Sequence, residues 1–443
     1  MTISRRSFVE LGAGAAAASI VSTVVQAQAG VVQAQAGERA QQRLPPSIAA
    51  LRSRQSEAIP ISPEEMRGRV DRARQLMNAN GLQAIAVTNG SSLTYYGGVH
   101  WWVSERFFGM FLPAKGEPFF VCPAFEEDRA REQLAKGPFG DKADVRTWQE
   151  DEDPYARVAQ GFGDLGLRTG KLGIEEKTPF VFSSNIGKAV PALEIASATP
   201  VTAGCRMIKS EHEVALMRLA AQVTLAAYAA AYRALHEGMT QQEFAELVRL
   251  AHTQQGFTGG AEVQVGEYSA LPHGSVHSQE IREGTILLMD GGCTVEGYAS
   301  DISRTFVLGK PTDKMKSVFE IVHKAQSAAL ATARPGLPAE DVDAAARKVI
   351  VDAGYGPGFK YFTHRLGHGM GMDGHEWPYL VHGDKLPLQA NMTFSDEPGI
   401  YIRGDFGVRL EDDMHITENG AELFTPQSPS LENPFPESVT ASR

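Results

Sequence analysis

Between His364 and Tyr379 the chain reads HRLGHGMGMDGHEWPY, which gathers three histidines, four glycines and two acids into sixteen residues. Imidazole is the side chain that ligates divalent metals and moves protons near neutral pH. Four acids elsewhere invite the same reading: Asp290 at the end of ILLMDGG, Asp301 eleven residues on in SDISRTF, Glu397 in FSDEPGIYI and Glu411 in GVRLEDDMHI. Each interrupts or ends a run of apolar, β-prone residues. Taken singly, each reads best as a strand-end residue or a surface ion pair. Burying one carboxylate unpaired is costly, and several at short range cannot all stay ionised. A cation therefore belongs among them, either an arginine such as Arg304 or Arg409 or a divalent metal. Four acids in this context, with the glycine-flanked His368, point to metal. The set is hard and rich in oxygen, which suits Mn2+ or Co2+ better than a structural zinc. Two divalent ions and one hydroxide bring four carboxylates close to neutrality, which favours two ions over one. Gly367, Gly369, Gly371 and Gly374 would let backbone pass close to metal and substrate, where a side chain would clash.

Such residues need strands to hold them. SPEEMRGRVDRARQLMNANG predicts a helix with Ser62 as N-cap, Pro63 in its first turn and Glu65 closing a capping box. Met66, Val70, Ala73 and Met77 share one face, and Gly81 ends it. LQAIAVT reads as a buried strand, and FFGMFLPAKGEPFFVC as two strands about a Lys-Gly turn. Helix and strand alternate to about Cys205, so residues 62–205 read as a smaller α/β domain. Its aromatic cluster of Tyr95, Tyr96, His100, Trp101 and Trp102 suits a core or an interface better than a site. The second half opens on capping boxes at Ser210 with Glu213, whose helix should run to Gly238, and at Thr240 with Glu243, whose helix turns Phe244, Leu247 and Ala251 inward. β-like sequence fills 260–310, helices are expected at about 312–333 and 338–353, and β-like strings return after the histidine stretch. Helices in blocks between blocks of strands predict an α+β domain rather than a doubly wound sheet.

The bulk numbers narrow the field. A chain of 443 residues, 43% hydrophobic and 21% charged, is globular and long enough for two or three domains. A net charge of -11 argues against nucleic acid or anionic membrane as partner. Cys122, Cys205 and Cys293 are too few for a disulfide scaffold or a cysteine-based zinc site. Cys293 reads as a small strand hydrophobe, Met370 and Met372 as packing, and His252, His323 and His382 as surface or helix-face histidines. The start of the chain is different. SRRSFVE, then LGAGAAAASIVSTVV, then a tandem VVQAQAG resemble a twin-arginine export signal with a small-residue cleavage site. The apolar run is shorter than the ~20 residues a bilayer requires, and no later segment reads as transmembrane. The expected division is a signal at 1–36, a linker at 37–61, domains at 62–205 and 206–425, and a tail at 426–443. The expected location is periplasmic or secreted, with no membrane attachment once the signal is removed.

MDGG, SDISRTF, HRLGHGMGMDGHE, DEPGIY and VRLED, in that order, resemble the signature of the pita-bread metallopeptidases of family M24: Xaa-Pro aminopeptidase, prolidase and their creatinase relatives. The resemblance covers roughly residues 206–420, and more weakly 62–205 as a creatinase-type N-terminal domain. It implies a dinuclear-metal hydrolase that cleaves the Xaa-Pro amide bond of dipeptides or peptide N-termini. Asp290 would chelate one ion, Asp301 and Glu411 would bridge both, and His368 with Glu397 would complete the second. The ions would be Mn2+, with Co2+ or Zn2+ as alternatives. Glu397 would also be the general base that activates a metal-bridging hydroxide. His273 in LPHG, His364 and His375 would contact the scissile amide and steady the tetrahedral intermediate, with Arg409 standing behind the ligands. The family often forms homodimers or higher homo-oligomers, and the cluster at Trp101 is the candidate contact. Arg365 could clamp a substrate carboxylate or pair with an acid. Two positions depart from the pattern: Trp377 stands where many relatives carry proline, and Gly374 where a branched aliphatic is usual. Both leave the five ligands in place and bear on pocket shape. The same centre could therefore act on a non-proline or xenobiotic amide. A non-catalytic peptide-binding protein of this fold is a further alternative, disfavoured because all five ligand positions are filled.

Overall fold

The computed structural model describes residues 44–436, so the expected export signal at 1–36 and residues 437–443 lie outside the described part. The short helix Pro46–Ala49 belongs to a unit that ends at Ala50, and all that follows belongs to the unit beginning at Leu51.

Six strands form the sheet of the N-terminal domain: β1 Leu82–Val87, β2 Gly109–Pro113, β3 Phe119–Pro123, β4 Asp144–Trp148, β5 Gly170–Ile174 and β6 Leu193–Ser197, in the order β4-β3-β2-β1-β5-β6. β2 and β3 are the expected antiparallel hairpin, while β3 with β4, β1 with β5 and β5 with β6 run parallel. Side chains alternate between two cores, as the period of a strand requires. Ile85, Val87, Met110 and Leu112 pack with Val70, Ala73 and Met77 of the helix Pro63–Ala79. Ala84, Ala86 and Phe111 pack on the other face with Val158 and Phe162 of the helix Pro154–Asp164. That burial on both faces explains why β2 and β3 carry no charged residue. The helix Pro63–Ala79 starts at its predicted box: Ser62 Oγ accepts from Glu65 N at 3.2 Å, and Glu65 Oε2 accepts from Ser62 N at 2.8 Å. Of the aromatic cluster, Tyr95, Tyr96 and Trp101 are core residues, whereas Trp102 is 51% exposed beneath the guanidinium of Arg129.

The C-terminal domain has two halves, each pairing two helices with antiparallel strands. In the first, the helices Glu211–Tyr232 and Gln241–Gln254 accompany β7 Thr258–Gly259, β8 Glu262–Val265, β9 Ile286–Gly291, β10 Cys293–Val295, β11 Tyr298–Ala299 and β12 Ile302–Val307. Their strand orders are β12-β9-β8 and β11-β10-β7. In the second, Asp313–Thr332 and Ala339–Asp352 accompany β13 Gly367–Gly369, β14 Glu376–Leu380, β15 Thr393–Asp396, β16 Gly399–Ile402, β17 Phe406–Arg409, β18 Asp412–Ile416 and β19 Ala421–Leu423. These form a sheet of order β14-β13-β15-β18-β19 and the hairpin β16-β17. Met217, Phe244 and Val248 pack on Leu287 and Met289 in one half, and Val318, Val322 and Ala346 pack with Phe394, Met414 and Ile416 in the other. This is the α+β arrangement that blocks of helices between blocks of strands predict.

Three local expectations are corrected. The helix that begins at Glu211 stops at Tyr232, not Gly238. Gly238 N donates to Ile281 O at 2.9 Å and Ile281 N to Met239 O at 2.7 Å, so the chain there pairs with the stretch at Ile281. That same helix is long and apolar enough to cross a bilayer, although no later segment was expected to be; 78% of its apolar window is buried in the core, which accounts for its composition. Of the two readings of His252, surface or helix-face, the second holds and the first is corrected. The residue is buried, 2.9 Å from Val248 O and 3.3 Å from Thr224 Oγ1, and burial lowers its pKa to about 4. Cys293 and Met370 are buried packing residues as expected. Of the expected tail, Leu431 and Phe435 are buried, and Leu431 O accepts from Val307 N at 3.0 Å.

Candidate metal centre

Strand register brings the acids together. β9 and β12 pair Asp290 with Ser303. Ser303 Oγ lies 2.7 Å from Asp290 Oδ1 and 2.6 Å from Glu411 Oε2, and accepts from Arg409 Nε at 2.8 Å. A hydroxyl has one proton, so it serves one of those carboxylates at a time. Asp301 leads into β12, and its backbone N–H donates to Asp413 Oδ1 at 3.1 Å. β15 and β18 pair Asp396 with Asp412, which leaves Glu397 and Glu411 just beyond the adjoining strand ends. Glu411 N donates to Ser303 O at 3.2 Å, fastening the sheet of β9 and β12 to that of β15 and β18.

His368 joins them from β13. Its backbone N–H donates to Ser395 Oγ at 3.0 Å, and its Nδ1 lies 3.1 Å from Gly369 O. A carbonyl only accepts, so Nδ1 carries the proton and Nε2 presents a lone pair. That Nε2 is 3.3 Å from Glu397 Oε1 and 3.9 Å from Asp301 Oδ2. Three overlapping groups result, in each of which the donor atoms lie within 4.8 Å of one another: Asp290, Asp301 and Glu411; His368, Glu397 and Glu411; Asp301, His368 and His375. One cavity is lined by all the residues singled out in the sequence, namely His273, Asp290, Asp301, His364, His368, His375, Glu397, Arg409 and Glu411, together with Pro272 and Arg365.

The electrostatics show what such a cluster lacks. Burial, then the charges of Asp290 and Glu397, push Asp301 well above the ordinary carboxylate range. Burial, then Asp301, does the same to Glu411, and burial raises Glu397 to about 8. Asp290 goes the other way: burial opposes its ionisation, but Arg409 and Ser303 prevail. Among the described residues Arg409 is the one arginine or lysine in ion-pair range of these four acids, with Nη2 2.8 Å from Asp290 Oδ2 and Nε 3.8 Å from Glu411 Oε2. One fixed positive charge against four carboxylates leaves a deficit that divalent cations are suited to meet.

The remaining expected residues differ in availability. Both nitrogens of His364 are engaged: Nδ1 lies 2.8 Å from Arg365 O and Nε2 2.7 Å from Tyr401 Oη. Burial, then Arg409, lowers its pKa to about 3, so it is neutral, with the proton on Nδ1. Tyr401 Oη donates to it and accepts from Arg409 Nη1 at 3.0 Å. His273 and His375 are the exposed histidines of the cavity, and the ring of His375 stacks on His368 with centroids 3.6 Å apart. Arg365 settles over the ring of Tyr379 at 4.2 Å and pairs with no acid among the described residues. Sequence reasoning missed Ser303 and Tyr401. Ser303 stands two residues after Asp301 on one strand, hence on the same face, and a tyrosine in the apolar GIYI needs a partner for its hydroxyl.

The glycines of the histidine stretch do something other than expected. A Cβ on Gly367 would fall 2.0 Å from Ser395 O, and one on Gly369 2.8 Å from Glu376 O, so both clear room for neighbouring strands. A Cβ on Gly371 would meet the Glu376 carboxylate and Lys209 Cε at 3.0 Å, while Gly374 faces open space.

Fold and site together define a metal-dependent enzyme with a separate N-terminal domain. The model of metallopeptidase family M24 matches residues 215–418, and that of the creatinase/prolidase N-terminal domain matches residues 69–208. The Xaa-Pro dipeptidase of Lactobacillus delbrueckii subsp. lactis is 33% identical over 370 residues, 82% of this chain and 98% of that protein. The probable dipeptidase PepE of Mycobacterium tuberculosis is 36% identical over 344 residues, 77% of this chain and 89% of that one. Among solved structures, the dipeptidase PepE of Mycobacterium ulcerans superposes with a TM-score of 0.78 at 33% identity, covering 84% of this chain and 99% of that one. A prolidase from Thermococcus sibiricus gives 0.74 at 30%, covering 83% and 98%. The chain belongs to metallopeptidase family M24, with the pita-bread catalytic domain and creatinase-type N-terminal domain that the motifs imply. It is accordingly a metallopeptidase, an enzyme that uses divalent metal ions.

Proposed function

We propose that this protein is an Xaa-Pro dipeptidase that holds two divalent ions, Mn2+ first among them. The observation that carries the reading is the pair of donor groups that share Glu411, each of which could hold a metal ion. Asp290, Asp301 and Glu411 would hold one and His368, Glu397 and Glu411 the other, with Asp301 reaching both. Bound there, the ions supply Lewis acidity toward water and the amide carbonyl. Glu397 accepts a proton from the attacking water and returns it to the prolyl nitrogen as the bond breaks. His273 and His375 meet the substrate, while neutral His364 fixes Tyr401 and through it Arg409. Arg365 takes the free carboxylate of the dipeptide, since no acid among the described residues pairs with its guanidinium. That assignment favours a dipeptidase over an aminopeptidase.

The test is metal content together with Ala-Pro and Ala-Pro-Ala hydrolysis, on the wild type and on Asp301→Asn. Two metals per chain with Ala-Pro preferred support the reading, and the variant should lose both metal and turnover. Metal-loaded protein that leaves Ala-Pro intact overturns the substrate.

The domain limits 62–205 and 206–425, the homodimer and export to the periplasm are further parts of this proposal. Exposed Trp102, rather than buried Trp101, is the residue available for a dimer contact. Trp102→Ala should then elute as a smaller species in sizing chromatography. Cell fractionation of the full chain checks the export signal.

A further inference from the structure

The segment that carries His375 is held by residues far earlier in the chain. Asp373 and Glu376 bracket that histidine, and both side chains turn toward cations of the N-terminal domain and of its junction with the catalytic domain. Arg206, at the end of the helix Thr199–Arg206, places Nη2 2.9 Å from Asp373 Oδ2 and also donates to Glu376 Oε1. Lys177 Nζ lies 2.6 Å from Asp373 Oδ2, and Ser91 Oγ donates to Asp373 Oδ1 at 2.5 Å. Lys209 Nζ stands 3.6 Å from Glu376 Oε2. Asp373 N donates to Glu376 Oε1 at 2.9 Å, so the two acids also fix one another.

Most of this network is out of water: the Arg206 side chain is 9% exposed, Glu376 6% and Lys209 2%. A buried ion set is a weak source of stability and a strong source of register, because every other arrangement strands a charge. Register is what this segment needs. Gly374, between the two acids, has no atom within 4 Å of where a Cβ would stand, so no side-chain packing fixes the backbone next to His375. The cavity lined by Lys177, Arg206, Asp373, Glu376, Trp377 and Tyr379 has His375 in its wall, and His375 also lines the metal cavity.

We infer that Arg206 is a positioning residue for the reaction: it acts through Asp373 and Glu376 to hold His375 against His368 and toward the substrate. The inference rests on the proposal that His375 meets the substrate, and two readouts keep the two ideas apart. The first is hydrogen–deuterium exchange of residues 371–376, which needs no substrate. Arg206→Met should exchange this segment at least about tenfold faster while the rest of the chain stays protected. Unchanged protection overturns the inference, whatever the protein hydrolyses.

The second readout is kinetic, with Ala-Pro and matched metal content. Arg206→Met should lower kcat more than it raises KM, and Arg206→Lys should recover part of the loss. The double variant Arg206→Met/His375→Ala should be no slower than His375→Ala alone, because both remove the same group. Multiplying effects would mean that Arg206 does not act through His375. If Arg206→Met does not fold, Asp373→Asn carries the same comparison from the more exposed side of the network. Faster exchange in Arg206→Met, alongside a wild type inactive on Ala-Pro, would support the hold on the segment and sink the substrate reading instead.

Discussion

Arg409 Nη2 lies 2.8 Å from Asp290 Oδ2, and that contact sets Asp290 apart from the three acids beside it. Burial alone would raise all four, yet Asp290 is lowered while Asp301, Glu397 and Glu411 are raised. Arg409→Met should therefore destabilise the metal-free protein by about 3 kcal/mol, the usual cost of stranding one partner of a buried pair. Divalent ions compensate the same carboxylates, so the loss should shrink when the protein is loaded. Thermal melts with Mn2+ and with a chelator check this. A metal-induced rise in Tm no larger in the variant than in the wild type would count against it.

Ser303 supports the same carboxylates without being a candidate ligand. Its hydroxyl sits between Asp290 and Glu411 and takes a hydrogen bond from Arg409 Nε. Partners of this kind typically contribute 10–100-fold in metal affinity. Ser303→Ala should weaken metal binding by about that factor and leave the fold intact, since it removes a single oxygen and adds no bulk. Competition with a metal-sensitive dye gives the number, and wild-type affinity would show the hydroxyl to be a bystander.

Arg365 separates two kinds of peptidase. A charge-assisted hydrogen bond contributes roughly 1.5–3 kcal/mol, or about 10–100-fold in kcat/KM. Arg365→Met should lose that much on Ala-Pro and almost nothing on Ala-Pro amide, which has no carboxylate. Equal losses on both substrates would assign the arginine to the stack on Tyr379 instead.

What could be read from the sequence was local or chemically constrained. The capping boxes at Ser62, Ser210 and Thr240 formed because each needs only a serine or threonine and a glutamate three residues on. Asp290, Asp301, His368, Glu397 and Glu411 were legible as a group because buried acids in β-prone runs require a shared cation. Ser303 and Tyr401 were not, since a serine or tyrosine in a strand carries no mark of the partner it will find across a sheet. Arg206 and Asp373 are 167 residues apart, and nothing in either motif announces the other. Which way His252 faces was not legible, because a histidine on a helix face reads the same whether that face meets water or Tyr228.

Acid titration gives the Arg206 network a signature of its own. Burial works to raise the Asp373 carboxyl, but Arg206, Lys177 and Ser91 overcome it and hold the group at about 2, against an ordinary 3.8. A carboxyl lowered on folding stabilises the protein fully above its unfolded value, and the contribution fades as pH falls toward the folded one. The window is therefore about pH 4 down to 2. The shift corresponds to on the order of 1–2 kcal/mol after allowance for a side chain that is 25% exposed. Asp373→Asn should lose about that much stability at pH 7 and much less at pH 2.5, where the wild-type carboxyl is partly protonated. Urea unfolding at the two pH values measures the difference. An equal gap between wild type and variant at both would mean that the Asp373 charge does not contribute to holding the segment.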